Sequence, residues 1–308
     1  MTSFEYRMIS GGMHLEVPEV ELTQAQRIVS GVDMQQRVET PLEEQAPTRR
    51  ASIATVEIMG CTVYNVDIRE AVAWILAESE TPTPSFAVTP NVDHVVMLRK
   101  NSEFRAAYNA AAISVADGMP LLWAAKIKKT PLKQRVCGSD LIAPICAGAR
   151  DRGLSVFFLG GRPGAADIAA QRLQEQFPGL KVAGTSCPPM GFNNDPTENQ
   201  RAIDQVRAAK PDILFVGLGA PKQEIWLHRN LQQLAVPFSL GIGAGIDFTA
   251  GFVERAPVWM QNSGFEWAYR IYRDRRLAKR YLWKDLPYLG YLAKLAALRV
   301  TARTRPTS

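Results

Sequence analysis

By residue type and setting, Asp117 is a side chain that could move a proton. It ends an apolar stretch (ISVAD, 113–117) and precedes Gly118, where a sharp turn gives way to a helical pattern. Strand-end carboxylates in α/β proteins often face the ligand crevice, so Asp117 reads as a general base. It also reads as an Asp that caps the next helix through its side chain. Thr89-Pro90-Asn91 repeats the situation, with polar side chains at a strand end that either bind ligand or cap. His94, a turn further on, reads as a structural hydrogen-bonding residue.

The other candidates suit anions. Arg135 precedes a Gly-Ser-Asp helix start, and a guanidinium fork beside free helix N–H groups matches a diphosphate. Its plainer reading is a solvated loop arginine. Gly160 and Gly161, in LGGRPG, open a second strand–turn–helix unit that either holds a phosphate or is only a tight turn. A third unit, GLGAPKQE (217–224), puts Lys222, Gln223 and Glu224 in the first turn of a helix, more polar residues than capping requires. From Gly241 to Leu282 the themes converge: glycines at 241, 243 and 245, a carboxylate at Asp247, Arg-Ala-Pro at 255–257, then a run dense in Arg, Tyr and Trp. Glycines after a strand let backbone N–H groups approach a ligand closely. Such a junction suits an enzyme that handles a phosphorylated substrate at a surface.

Several chemistries lack their signatures. No Gly-x-Gly-x-x-Gly opens a βαβ unit with an acidic residue about 20 positions on, and there is no P-loop and no Gly-x-Ser-x-Gly elbow. Asp-x-Asp, a common way to hold a divalent ion against a nucleotide diphosphate, is also missing. A diphosphate bound here would be met by arginines, lysines and helix N-termini.

These residues need a frame, and the pattern supplies one. Strands are predicted at 55–59, 85–89, 112–116, 154–159, 180–184, 212–217 and 236–242. Helices are predicted at 67–79, 91–99, 102–111, 119–127, 139–151, 164–177, 197–209 and 221–233. Continuous apolar runs such as LSVFFLG and DILFVGLG fit strands buried on both faces of a parallel sheet. The alternation predicts a three-layer, Rossmann-like α/β domain with a mostly parallel sheet over 54–254. Residues 1–53, rich in Glu, Gln, Thr and Pro, read as a disordered extension with a short helix near Thr23–Ser30. Residues 255–308 read as a helical, basic, membrane-associating appendage.

Composition agrees with an ordinary globular domain, 46% hydrophobic and 21% charged over 308 residues. No apolar run is long enough to span a bilayer, and the N-terminus lacks the basic and apolar regions of a signal peptide. Cys61, Cys137, Cys146 and Cys187 are scattered and read as reduced thiols. The net charge of +6 is uneven: residues 255–308 hold 12 Lys/Arg and 3 Asp/Glu, whereas the preceding 254 residues hold 24 and 27. The tail interleaves its basic residues with Trp267, Tyr269, Tyr272, Tyr281, Trp283, Tyr288 and Tyr291, which suits an anionic lipid surface and competes with a nucleic-acid reading. Leucines 286, 289, 292, 295 and 298 recur at threes, a stripe matched to lipid or protein rather than to a phosphate backbone.

Taken together, TPNVD, ADGMPLLWAAK, RVCGSDL, FFLGG, GLGAPKQE, GIGAGIDFTAG, ERAP and GFEWAYRIYRDRRLAKRYL, in that order over roughly 55–282, resemble the WecG/TagA/CpsF glycosyltransferases, glycosyltransferase family 26. The resemblance implies inverting, metal-independent transfer of a sugar from a UDP-sugar to a polyprenyl-diphosphate-linked sugar. The implied donor sugar is N-acetylmannosamine, its uronic acid, or glucose, and the implied place is the inner face of the cell membrane. It implies Asp117 as base, with no cofactor. It implies substrate binding by Thr89, Arg135, Gln223 and Asp247, and by Arg270, Arg273, Arg276 and Arg280 of an arm that closes over the site; Asn91, Gly160 and Gly161 join them as strand-end residues that could bind ligand. The sequence departs from the family at Arg275, where many relatives have Pro, and in its N-terminal extension. Self-association is left open. Two rival readings stand beside this one: a nucleotide-cofactor oxidoreductase, opposed by the missing glycine fingerprint, and a nucleic-acid-binding module, opposed by the acidic balance of the residues before 255.

Overall fold

A computed structural model describes residues 53–263, 265–273 and 286–303. The expectations for the N-terminal extension lie outside the described residues. Among the described residues there are eight strands: β1 (Thr55–Ile58), β2 (Cys61–Tyr64), β3 (Ser85–Val88), β4 (Ile113–Ser114), β5 (Ser155–Gly160), β6 (Lys181–Ser186), β7 (Ile213–Gly217) and β8 (Phe238–Gly241). The last six form one sheet in the order β4-β3-β8-β7-β5-β6, with every neighbouring pair parallel. Parallel pairing demands a crossover between successive strands, and helices supply it. They are α1 (Ile68–Glu78), α2 (Val92–Leu98), α3 (Ser102–Ala110), α4 (Met119–Ile127), α5 (Gly138–Arg152), α6 (Ala165–Gln176), α7 (Pro196–Ala209) and α8 (Lys222–Leu234). Beyond β8 come α9 (Gly245–Thr249), α10 (Val258–Ser263), α11 (Glu266–Arg273) and α12 (Leu286–Arg303).

The period-two alternation of a strand explains how one sheet makes two cores. On β5, Val156 and Phe158 join one buried cluster with α1, α5 and α6, while Phe157 and Leu159 join a second cluster with α2, α3, α4, α7 and α8. On β7, Ile213 and Phe215 face the first cluster and Leu214 and Val216 the second. Truncating one such phenylalanine to alanine would cost about 3–5 kcal/mol. Gly184 on β6 makes room for this packing, since a Cβ there would lie 2.7 Å from the Phe157 ring.

One expectation needs correction. The strand predicted at 55–59 does not enter the sheet; it pairs antiparallel with β2, which the periodicity did not reveal, in a separate hairpin. Met59 and Gly60 turn the hairpin with φ of 52° and 82°. The leucine stripe of the tail, matched in the sequence to lipid or protein, meets protein in part: Leu292 and Leu295 pack on the second core cluster, whereas Leu289 is 62% exposed.

Candidate active site

Because the sheet is parallel, the turns after β3, β4, β5, β7 and β8 all leave from its C-terminal edge, where open α/β sheets bind ligands. Those turns carry most of the residues that the sequence singled out. Central in the sheet, between β3 and β7, lies β8, so its glycine-rich exit sits among the others.

Asp117 lies two residues beyond Val115, and its backbone N–H donates to Pro90 O at 2.8 Å, tying the ADG turn to the TPN turn. The N-cap of α4 is Gly118, with φ of 131° and no side-chain cap. Gly118 has no side chain to cap with, and Asp117 directly precedes it. Its charge reaches two buried neighbours: burial and then Asp117 push the Cys137 thiol up to about 12, and burial, Glu224, Cys61 and Asp117 raise the Tyr108 hydroxyl. Asn91 caps α2, accepting from His94 N–H at 3.2 Å, which supports the capping reading. Buried His94 bonds Tyr108 Oη through Nδ1 at 2.5 Å, as a structural residue would.

Thr89 is buried at the end of β3. A Cβ on Gly138 would lie 3.3 Å from Thr89 Oγ1 and 3.4 Å from Gly241 O, so the first turn of α5 is wedged against the ends of β3 and β8. The Val136 N–H donates to Ala116 O at 2.8 Å, laying the Arg135 segment beside the Asp117 turn. The Arg135 guanidinium donates from Nη2 to Asp140 Oδ2 at 3.1 Å and to Gln261 Oε1 at 3.4 Å, and its Nη1 lies 3.9 Å from Glu266 Oε2. Arg255 binds the other Asp140 oxygen. Burial disfavours its charge, but the Asp140 hydrogen bond and nearby negative charges raise its pKa on balance, so it stays protonated. Asp140 thus stands between two guanidinium groups at a helix N-terminus.

Gly160 and Gly161 turn with φ of 102° and 79°, and a Cβ on Gly160 would lie 2.6 Å from Gly217 O. The Asp247 carboxylate accepts from Arg162 N–H at 2.8 Å, so it braces this turn from the β8 side. Gln223 is buried, and its Oε1 accepts from Gly219 N–H at 3.2 Å and Gly243 N–H at 3.0 Å, joining the β7 and β8 turns. Its Nε2 donates to Glu224 Oε1 at 2.8 Å. Glu224, 1% exposed, has its pKa lifted to about 7 by burial, only partly offset by that hydrogen bond, and its Oε2 has no partner. Sequence reasoning placed Glu224 in a helical first turn without reading its burial, and gave no role to Asp140 or Arg255.

The arm is described in part. Arg273 Nη1 lies 3.1 Å from Glu254 Oε2, and Arg270 lies on α11. Arg276 and Arg280 fall outside the described residues. Trp259, Phe265 and Tyr272 are exposed. Tyr288 of α12 is buried and donates to Pro120 O at 2.8 Å, docking that helix beside the start of α4. No helix among the described residues is long and apolar enough to cross a membrane, and no cluster of three His, Cys, Asp or Glu among them could hold a metal ion. A cavity of about 240 Å³ beside α8 is lined by Asn199, Lys222 and Trp226 among others, and Lys222 is the one lining residue that the sequence singled out.

A family model described as "Glycosyl transferase WecG/TagA/CpsF family" matches residues 56–302. An N-acetylglucosaminyldiphosphoundecaprenol N-acetyl-beta-D-mannosaminyltransferase of Staphylococcus aureus is 28% identical over 244 residues, which is 79% of this chain and 93% of the relative. A protein of the same name from Bacillus spizizenii is 29% identical over 187 residues, 61% of this chain and 70% of the relative.

Proposed function

Since the chain belongs to the WecG/TagA/CpsF glycosyl transferase family, we propose that it moves a sugar from a UDP-sugar to a hydroxyl of a sugar carried on a polyprenyl diphosphate, with inversion and without a metal ion. Family membership replaces the oxidoreductase and nucleic-acid readings of the bare sequence. The names of the relatives favour N-acetylmannosamine as the sugar moved and lipid-linked N-acetylglucosamine as the acceptor, with the uronic acid and glucose as the other donors to test. The product would enter an exopolysaccharide or a cell-envelope glycan, made at the inner face of the cell membrane.

The observation that carries this reading is the setting of Asp117. It lies at the C-terminal edge of the sheet, tied to the TPN turn, beside the Arg135 segment and directly before Gly118, the N-cap of α4. In the proposed reaction the Asp117 carboxylate takes the proton of the acceptor hydroxyl as that oxygen bonds to the anomeric carbon. The bond from that carbon to the β-phosphate oxygen breaks on the opposite face, and UDP leaves with the electron pair. One carboxylate suffices for such a displacement. Charge gathers on the departing diphosphate, where Arg135 and the N-terminus of α5 would stabilise it, joined by arginines of the arm.

The test is a donor screen with the full chain, a water-soluble analogue of lipid-linked N-acetylglucosamine and excess EDTA. One UDP-sugar should be consumed, and NMR of the product should show the opposite anomeric configuration to the donor. Consumption of no donor under any condition would defeat the transfer reading. Activity that returns only with Mg²⁺ or Mn²⁺ would defeat metal independence alone.

A further inference from the structure

Arg255 has more hydrogen-bonding capacity than its surroundings use. A guanidinium carries five N–H donors in a rigid fork. One arm of the Arg255 fork binds Asp140, while Nε and Nη2 are buried with no acceptor. A buried donor left unmade costs free energy, and a charged one costs more, so an unmet guanidinium edge marks a place that expects an anion. Asp140 binds Arg255 through one oxygen and Arg135 through the other, which holds the two cations as neighbours despite their repulsion.

Arg135 and Arg255 share Asp140, and Glu266 on α11 lies 3.9 Å from Arg135 Nη1. Neither acid meets Arg255 Nε or Nη2, and a diphosphate would supply the acceptors that those donors lack.

We propose that Arg255 is a second diphosphate-binding arginine, which grips the donor through Nε and Nη2 beside Arg135 while Asp140 fixes the spacing of the pair. The inference rests on the glycosyltransferase reading and adds to it a residue with no role assigned by motif. Two neighbouring forks match adjacent phosphates bidentately, as a single arginine cannot.

Calorimetric titration of the full chain with UDP, with inorganic pyrophosphate and with uridine tests this. Arg255→Met should weaken UDP and pyrophosphate binding by roughly 10- to 100-fold and leave uridine unchanged. Arg255→Lys keeps charge and stem but not the fork, and should recover part of the loss. It also serves if the methionine variant fails to fold. Asp140→Asn reports the rival idea that Arg255 merely ties down α5. On that idea Arg255→Met and Asp140→Asn would lower the melting temperature alike with pyrophosphate affinity unmoved. Wild-type affinity for pyrophosphate in a folded Arg255→Lys or Arg255→Met protein would overturn the proposal while leaving the glycosyltransferase reading intact. If the wild type itself bound neither UDP nor pyrophosphate, both would fall together.

Discussion

At the residue scale, the site is held by side chains whose work is to join turns. Gln223 shows how this was hidden: in sequence it is one polar residue of a helical first turn, but its carbonyl satisfies two glycine N–H groups from different strands. No local pattern reveals a partner 20 residues away. The positions of Asp117 and Asp247 near the C-terminal edge of the sheet, by contrast, were legible because each lies in the segment that follows a strand. Glu224 was visible only as a charge, and its burial gives a pH signature. Its ordinary carboxyl value of 4.5 applies to the unfolded chain and about 7 to the folded one. The folded protein therefore holds a proton that the unfolded chain releases between those values. Stability from this group is fully present below pH 4.5 and is lost as pH rises through 7, a total of about 3 kcal/mol. Glu224→Gln keeps the shape and carries no such proton. Its stability relative to the parent, by denaturant unfolding, should rise by about 3 kcal/mol between pH 4.5 and pH 8. A difference that stays flat over that range would mean Glu224 is ionised in the fold.

At the scale of elements, hydrophobic period and turn chemistry placed α1 to α8 within a residue or two of where they lie, and six of the seven predicted strands are in the parallel sheet. The hairpin escaped because a short alternating run does not say which sheet it joins; Met59-Gly60 was the only signal of a turn. The docking of α12 escaped for a different reason. Its leucines and tyrosines suit lipid and protein equally well, and only tertiary structure chooses. Tyr288 is now an anchor, 1% exposed and bonded to Pro120 O at the start of α4. Tyr288→Phe should cost about 1 kcal/mol for the hydrogen bond, and Tyr288→Ala about 3–5 kcal/mol for lost packing as well. Urea unfolding curves measure both. Equal, small losses from the two variants would mean that α12 is not docked in solution.

At the scale of the molecule, an α/β body with no net charge over residues 53–254 carries a basic arm with exposed Trp259, Phe265 and Tyr272. The arm would attach the body to the membrane that holds its acceptor, each basic side chain near an anionic bilayer adding about 1 kcal/mol. Co-sedimentation with vesicles containing phosphatidylserine should be strong at low salt and fall as salt rises. It should weaken when Arg276 and Arg280 are both changed to Gln. Binding that ignores salt would make the attachment apolar instead. If those two arginines also reach the donor, the same variant should lose transfer to a water-soluble acceptor, which a pure anchor would not need. The central claim is that this chain is a glycosyltransferase whose base is Asp117. It is met most directly by single-turnover transfer in the wild type and in Asp117→Asn, with UDP affinity measured alongside. The account predicts a fall in turnover of roughly 10²–10⁴ with UDP binding nearly unchanged. Near-normal turnover in Asp117→Asn would contradict it.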